Sequence, residues 1–193
     1  AMQEESRKEK NFIKRIYHAE APKWLKYAIL FGYPVLLFYI TAFMTYNPFV
    51  RTRWRAQILN LLLFEAFVWL LLAITGSAVI ALRTETILGI ALSIANYYVI
   101  SFRGSPVVPW DLLSLGTAAS VAGGYDYTLP PRQIALILLM LFLAFTERYA
   151  KIHISRKKIL LRAGSAVISI ACMAGIGWMV QDDAMVSELQ LYP

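Results

Sequence analysis

Long stretches without charged residues constrain the fold of this chain more than any other feature. Five such stretches occur, at 27–50, 56–82 (interrupted only by Glu65), 86–102, 133–146 and 163–180. A helix of about 20 consecutive apolar residues crosses a lipid bilayer. Hydrophobic residues make up 59% of the chain and charged residues 16%, whereas water-soluble domains average roughly 45–50% and about 25%. The sequence therefore excludes one soluble core and predicts an all-α membrane protein.

We predict five transmembrane helices, which together form a domain at 24–181. They are expected at about 24–44, from 56 to a point between 75 and 82, and at 86–102, 133–148 and 163–180. Neighbouring helices can satisfy the carbonyl freed by Pro34 in the first span. The fourth span is the shortest, because 14 uncharged residues rise only about 21 Å. The charged pairs Arg83/Glu85 and Glu147/Arg148 are expected to anchor span ends at the membrane interfaces.

Basic residues are unevenly distributed between the predicted inner and outer segments. With the N-terminus inside, the inner segments contain 14 Lys and Arg residues, and the outer segments contain five: Arg51, Arg53, Arg55, Arg103 and Arg132. Loops rich in Lys and Arg stay on the cytoplasmic side. This distribution predicts a cytoplasmic N-terminus and an extracellular C-terminus.

Two segments outside the spans have patterns typical of short helices. The basic segment 1–23 contains Ser6 and Glu9 at capping-box spacing, followed by apolar residues on one helical face. It indicates an amphipathic helix on the cytoplasmic membrane surface, with a solvated basic tail as the alternative. Between the third and fourth spans, the segment 109–122 favours an interfacial or re-entrant helix, with a plain surface connector as the alternative.

The sequence contains no recognisable catalytic or metal-binding motif. Cys172 is the only cysteine, and His18 and His153 lie in basic segments without the acidic partners of a metal site. The pair Gly123-Gly124 lacks the Lys-Ser/Thr that completes a phosphate-binding loop. We therefore expect no metal, cofactor or catalytic residue within this chain, and no nucleic-acid partner.

Glu65 is the charged residue inside an otherwise uncharged span. It lies about 15 Å along the helix from Arg55, near the middle of a bilayer core about 30 Å thick. A carboxyl group at this depth is a functional candidate by default. Asn96 of the third span is a candidate hydrogen-bond partner. The alternative is a structural role, in which a neutral Glu65 joins neighbouring helices.

The outer arginines form a candidate site for a lipid headgroup. Planar guanidinium groups bind phosphate through paired hydrogen bonds. The predicted site consists of Arg51, Arg53, Arg55, Arg103, Trp110 and Asp111. The alternative is that these arginines contact the phosphates of surrounding lipids without forming a specific site.

A stretch around the third span carries a family resemblance. The sequence at 95–111 reads ANYYVISFRGSPVVPWD, followed by LGTA at 115–118 and Gly124-Tyr125. These residues resemble the N-terminal membrane region of the lipoteichoic acid synthase family. Asn60 and the closing Leu191-Tyr192-Pro193 fit the same pattern, and the motif Arg-Gly-x-Pro-x-x-Pro-x-Asp is its most specific part.

The resemblance implies five transmembrane helices in a bacterial plasma membrane, followed by an extracellular sulfatase-like domain. That domain would transfer glycerol phosphate from phosphatidylglycerol, with a threonine nucleophile and a divalent metal, typically manganese. This sequence reaches Pro193 without such a domain, so no catalytic residue can be assigned here. We expect 182–193 to be an extracellular linker to it.

The resulting expectation is a membrane-anchoring and lipid-presenting domain of a phosphoglycerol transferase, whose partners are phosphatidylglycerol and its own catalytic domain. Two alternatives remain open. One is a stand-alone membrane scaffold or regulatory protein. The other is a small transporter or flippase, which Glu65, Pro34 and the segment at 109–122 would suit. The sequence leaves the oligomeric state open.

Overall fold

A computed structural model describes residues 21–104, 107, 127–155 and 157–181. Residues 1–20 of the predicted N-terminal amphipathic segment, the segment at 109–122 with Trp110 and Asp111, and the acidic segment 182–193 lie outside these residues.

The described residues form α-helices, one 3-10 helix and connecting turns, which confirms the all-α class. The helices are α1 (Lys23–Phe43), α2 (Pro48–Arg51), α3 (Trp54–Thr75), α4 (Ala78–Arg103), α5 (Pro131–Ala144) and α6 (Ile159–Gln181). The 3-10 helix Phe145–Tyr149 continues directly from α5. In this part of the chain, extended pairing is limited to an isolated antiparallel bridge between Ser77 and His153.

Within the described residues, four helices are long and apolar enough to cross a membrane, namely α1, α3, α4 and α6. Their length and composition indicate a multi-pass membrane protein. The predicted fourth span corresponds to α5, which has 14 residues before the 3-10 helix begins. The prediction of five spans is therefore not confirmed.

The connection between α3 and α4 is a tight turn at Gly76. Its φ angle is +73°, and its N–H donates to the carbonyl of Leu72 at 2.8 Å. A Cβ atom added at Gly76 would lie 2.9 Å from the backbone oxygen of Ile154. Both the left-handed conformation and the close approach of this second chain segment therefore favour glycine.

Helix α4 begins at Ala78, so the expected start of the third span at residue 86 was wrong. Arg83 and Glu85 lie within the helix, on faces with different environments. Arg83 is exposed, whereas Glu85 is buried with only 3% of its surface accessible. Charged residues can continue a membrane helix when one reaches the surface and the other faces the bundle, which is why they did not mark its end.

The bundle core lies around α1, which packs against α3, α4 and α5. Its buried residues include Leu30, Tyr33, Leu37, Leu72 and Leu82. Helix α6 packs chiefly on α3. The outer surface carries exposed apolar side chains, including Leu160 (87% exposed) and Ile168 (72%). Such a surface suits contact with lipid chains.

The bundle has two ends, which we name by their basic residues. At the arginine end, α3 begins beside Arg51, Arg53 and Arg55, and the antiparallel neighbour α4 ends at Arg103. At the lysine end, the segment with Lys151, Lys157 and Lys158 approaches the α3–α4 turn. There the Ala78 N–H donates to the Ile152 carbonyl, and the Ile154 N–H donates to the Gly76 carbonyl.

Candidate functional site

The structure brings the four predicted arginines to one end of the bundle. Arg51 ends α2, Arg53 lies just before α3, and Arg55 lies in the first turn of α3. Arg103 is the last residue of α4. All four side chains are exposed. The antiparallel packing of α3 and α4 explains how Arg103 joins residues about 50 positions earlier.

The turn carrying Arg51 and Arg53 is held by hydrogen bonds with the side chains of Asn47 and Gln57. The Asn47 side chain accepts from the Phe49 N–H and caps α2, and Pro48 occupies its first position. The Gln57 amide donates to the carbonyls of Pro48 and Thr52 at 3.1 and 2.9 Å. These contacts fix the backbone that presents the arginines.

Trp54 adds an aromatic surface to this group. Its side chain is 67% exposed, and the Arg55 guanidinium carbon lies 5.5 Å from the ring centroid. Tryptophan is enriched where membrane and water meet. Exposed guanidinium groups beside an interfacial indole can bind an anionic headgroup through charge and paired hydrogen bonds.

Glu65 lies in the middle of α3, eleven residues after its start and ten before its end. Trp69 lies one turn further along the helix, and the Oε2 atom of Glu65 is buried without a hydrogen-bond partner. The predicted partner Asn96 serves a different purpose. Its side-chain oxygen accepts the backbone N–H of Val107 at 2.9 Å, near the end of α4.

Sequence reasoning missed a buried polar network around Glu147, which we call the Glu147 cluster. It comprises Glu147, Tyr33, Thr86 and Arg83. The Glu147 Oε1 atom accepts from the Tyr33 hydroxyl at 2.8 Å and from the Thr86 hydroxyl at 2.9 Å. The Tyr33 and Thr86 hydroxyls also contact each other. Arg83 Nε lies 3.3 Å from Oε2. The cluster therefore joins α1, α4 and the 3-10 helix.

The expectation that Glu85 and Glu147 anchor span ends at the membrane interface was wrong. Glu147 is fully buried and Glu85 is 3% exposed. Arg83 and Arg148, which were expected to anchor the span ends together with these two glutamates, are exposed. Both oxygens of Glu85 lack a hydrogen-bond partner.

One sequence signal could have indicated the Glu147 cluster. Tyr33 falls on the same helical face as Leu30 and Leu37, which predicts a buried tyrosine. A buried hydroxyl group needs a hydrogen-bonding partner. The identity of that partner could not follow from the pattern, because Glu147 is 114 residues away in the sequence.

Across the parts of the chain that the structure describes, no group of three His, Cys, Asp or Glu side chains could hold a metal ion. Comparison of the chain with protein-family models, with curated proteins and with solved structures finds no match.

Proposed function

We propose that this chain is the membrane domain of a phosphoglycerol transferase of the lipoteichoic acid synthase type, and that it gathers anionic phospholipid at its arginine end. The observation that carries the proposal is the grouping of Arg51, Arg53, Arg55 and Arg103, all exposed, at one end of an apolar helical bundle.

The chemistry of this group suits phosphatidylglycerol, the donor lipid that the resemblance implies. Its phosphate carries one negative charge and accepts paired hydrogen bonds from a guanidinium group. Trp54 would lie at headgroup depth beside it. The apolar helices would hold the lipid chains nearby. Lipid collected here would be available to an extracellular catalytic domain on the same side of the membrane.

A fifth crossing of the membrane, formed by α5 with the 3-10 helix, is part of the proposal. At the arginine end, Arg132 and Gln133 donate to the carbonyls of Phe43 and Met44 at 3.0 and 3.2 Å. At the lysine end, Ile152 bonds to Ala78 just beyond the 3-10 helix. The segment between these contacts thus extends along the bundle, which supports an odd number of crossings.

Lipid selectivity tests the arginine end. Purified protein would be released from mixed phosphatidylglycerol and phosphatidylcholine into native mass spectrometry. We expect enrichment of phosphatidylglycerol in the wild type and its loss when Arg51, Arg53, Arg55 and Arg103 are all changed to Gln. The control changes four exposed basic residues near the other end to Gln: Arg148, Lys151, Lys157 and Lys158.

The control removes the same charge, so it separates a site from a general charge effect. Equal loss of phosphatidylglycerol in both variants, or no loss in either, would reject the headgroup site. A further variant, Arg103→Lys, keeps the charge but not the planar fork, and should weaken selectivity without abolishing membrane insertion.

Topology is tested by cysteine accessibility. With Cys172 replaced by Ala, a cysteine introduced at Ser187 should react with an impermeant reagent in intact cells. The five-crossing arrangement places residue 187 outside, whereas four crossings would place it on the same side as the N-terminus. Protection in intact cells followed by labelling after lysis would therefore reject the fifth crossing.

The buried carboxyl groups favour a second candidate, a small transporter. Ionisable residues inside a membrane bundle commonly mark pathways for ions or substrates, and Glu85 and Glu147 are buried in this bundle. The coding sequence beyond Pro193 distinguishes the two candidates. A sulfatase-like domain there supports the transferase, and a stop codon supports the alternative.

A further inference from the structure

We propose that the groove between α3 and α6 is a binding site for a hydrophobic organic cation. The groove encloses about 530 Å³, within the range of roughly 300–1,000 Å³ that is usual for small-molecule sites. Its lining includes Leu62, Glu65 and Trp69 from α3 and Gly164, Ser165 and Ser169 from α6. This site is separate from the arginine end, and the inference does not depend on the proposed function.

The position of the groove favours a hydrophobic ligand. Both of its helices are candidate membrane spans, and α6 is exposed along most of its surface. Leu160 and Ile168, which also line the groove, are 87% and 72% exposed. A ligand therefore reaches the groove through the apolar part of the bilayer, which excludes strongly hydrated molecules.

The polar groups of the groove favour a positive charge on that ligand. Glu65 lines the groove, and its Oε2 atom is buried without a hydrogen-bond partner. Among the described residues that line the groove, none is a Lys, Arg or His that would balance this carboxyl group. Attraction between opposite charges is much stronger in an apolar environment than in water. A cation would therefore gain more from this site than a neutral lipid of the same size.

Two further lining residues, Trp69 and Ser169, support the same ligand. The indole of Trp69 provides an aromatic face, the preferred surface for an organic cation. Ser169 is only 4% exposed and lines the groove, so its hydroxyl can orient toward a bound molecule.

The charge requirement can be tested with three probes of similar shape: tetraphenylphosphonium, neutral tetraphenylmethane and anionic tetraphenylborate. Binding to the full chain in an uncharged detergent is measured by equilibrium dialysis. We expect saturable binding of tetraphenylphosphonium at one site per chain, and no saturable binding of the other two. Similar binding of all three probes would overturn the proposal.

The position of the site can be tested with substitutions. Glu65→Gln keeps the shape of the side chain, and should weaken tetraphenylphosphonium binding about tenfold or more. Unchanged affinity in a Glu65→Gln variant that retains the wild-type melting temperature contradicts the proposal.

Two glycine-to-leucine substitutions on α6, one inside the groove and one outside it, test whether the ligand occupies the groove. A Cβ atom at Gly164 or at Gly175 meets nothing within 4 Å, so either glycine accepts a larger residue. Gly164 lines the groove and Gly175 does not. Gly164→Leu should therefore abolish binding, whereas Gly175→Leu on the same helix should retain it. If Gly164→Leu instead converts a dimer to a monomer in size-exclusion chromatography while the wild type binds no probe, a second copy covers the groove and the proposal is wrong.

Discussion

Removing a single hydroxyl group at Tyr33 tests the role of the Glu147 cluster. Tyr33→Phe deletes the donor that lies 2.8 Å from Glu147 Oε1 and keeps the buried ring. Tyr33 is 2% exposed, so water does not replace the lost bond. The rest of the cluster remains, because Thr86 and Arg83 still contact the carboxyl group.

The expected loss in the free energy of unfolding follows from two ranges of hydrogen-bond energy, one for water-soluble proteins and one for membrane helices. A buried hydrogen bond to a charged group contributes about 1.5–3 kcal/mol in water-soluble proteins. Side-chain hydrogen bonds between membrane helices average about 0.6 kcal/mol, with a maximum of about 1.7. Tyr33 contacts both Glu147 and Thr86, whereas Glu147 keeps two of its three partners. We therefore expect a loss of about 1–2 kcal/mol, since these effects place the value near the overlap of the two ranges.

A thermal unfolding experiment in detergent measures this loss. For a chain of this size, about 1 kcal/mol lowers the melting temperature by about 2–4 °C, so Tyr33→Phe should lower it by about 2–8 °C. The matched control is Tyr27→Phe on the same helix, where the side chain is 53% exposed. The control should change stability by less than about 0.5 kcal/mol. Equal melting temperatures for the two variants would refute the stabilising role of the cluster.

Three further substitutions test the remaining structural conclusions by the same unfolding measurement. Gly76→Ala should lower the free energy of unfolding by about 1–3 kcal/mol, because Gly76 has a positive φ and a close backbone neighbour. The control Gly32→Ala lies in open space within α1 and should be neutral or stabilising. Equal effects of the two substitutions would contradict this explanation. Arg162→Gln removes the hydrogen bonds that cap the end of α3, and should lower the free energy of unfolding by about 1 kcal/mol. The control Lys158→Gln should cause no measurable change. Glu65→Gln should alter stability by less than about 0.5 kcal/mol and Glu65→Leu by about 1–2 kcal/mol at most, so that a larger loss in the Gln variant would show a structural need for the charge.

The helices were predictable where the information is local. Long apolar runs, of which only the α3 run contains a charged residue, predicted α1, α3 and α6 with small boundary errors, since a membrane span needs about 20 such residues in sequence. The Gly76-Ser77 pair fell within the expected boundary region of the second span, and Gly76 ends α3. The grouping of the arginines followed as well, because alternating helix directions bring the start of α3 and the end of α4 together.

The polar interior could not be predicted in the same way. Glu147, Tyr33 and Thr86 are 53 to 114 residues apart, and their contact depends on three packed elements. Charged residues also led to a wrong prediction of where a span begins. Arg83 and Glu85 looked like the edge of a span, although a helix can expose one and bury the other. The role of Asn96 depended on where the chain turns after α4, which periodicity does not specify.

If α6 tilts, the bonds between the α3–α4 turn and the segment before α6 make the lysine end of this helix the pivot. Near one end, α6 is tied by Ile154 to Gly76 and by Arg162 to the carbonyls of Ala73 and Ile74. Beyond this point it packs chiefly on α3. Its 23 residues extend about 35 Å, so a tilt of about 5° at the pivot would move the far end by about 3 Å. A small tilt of α6 at the lysine end would therefore produce a larger displacement at the opposite end of the helix. The same tilt would widen or narrow the groove beside Glu65, which lies between the two ends.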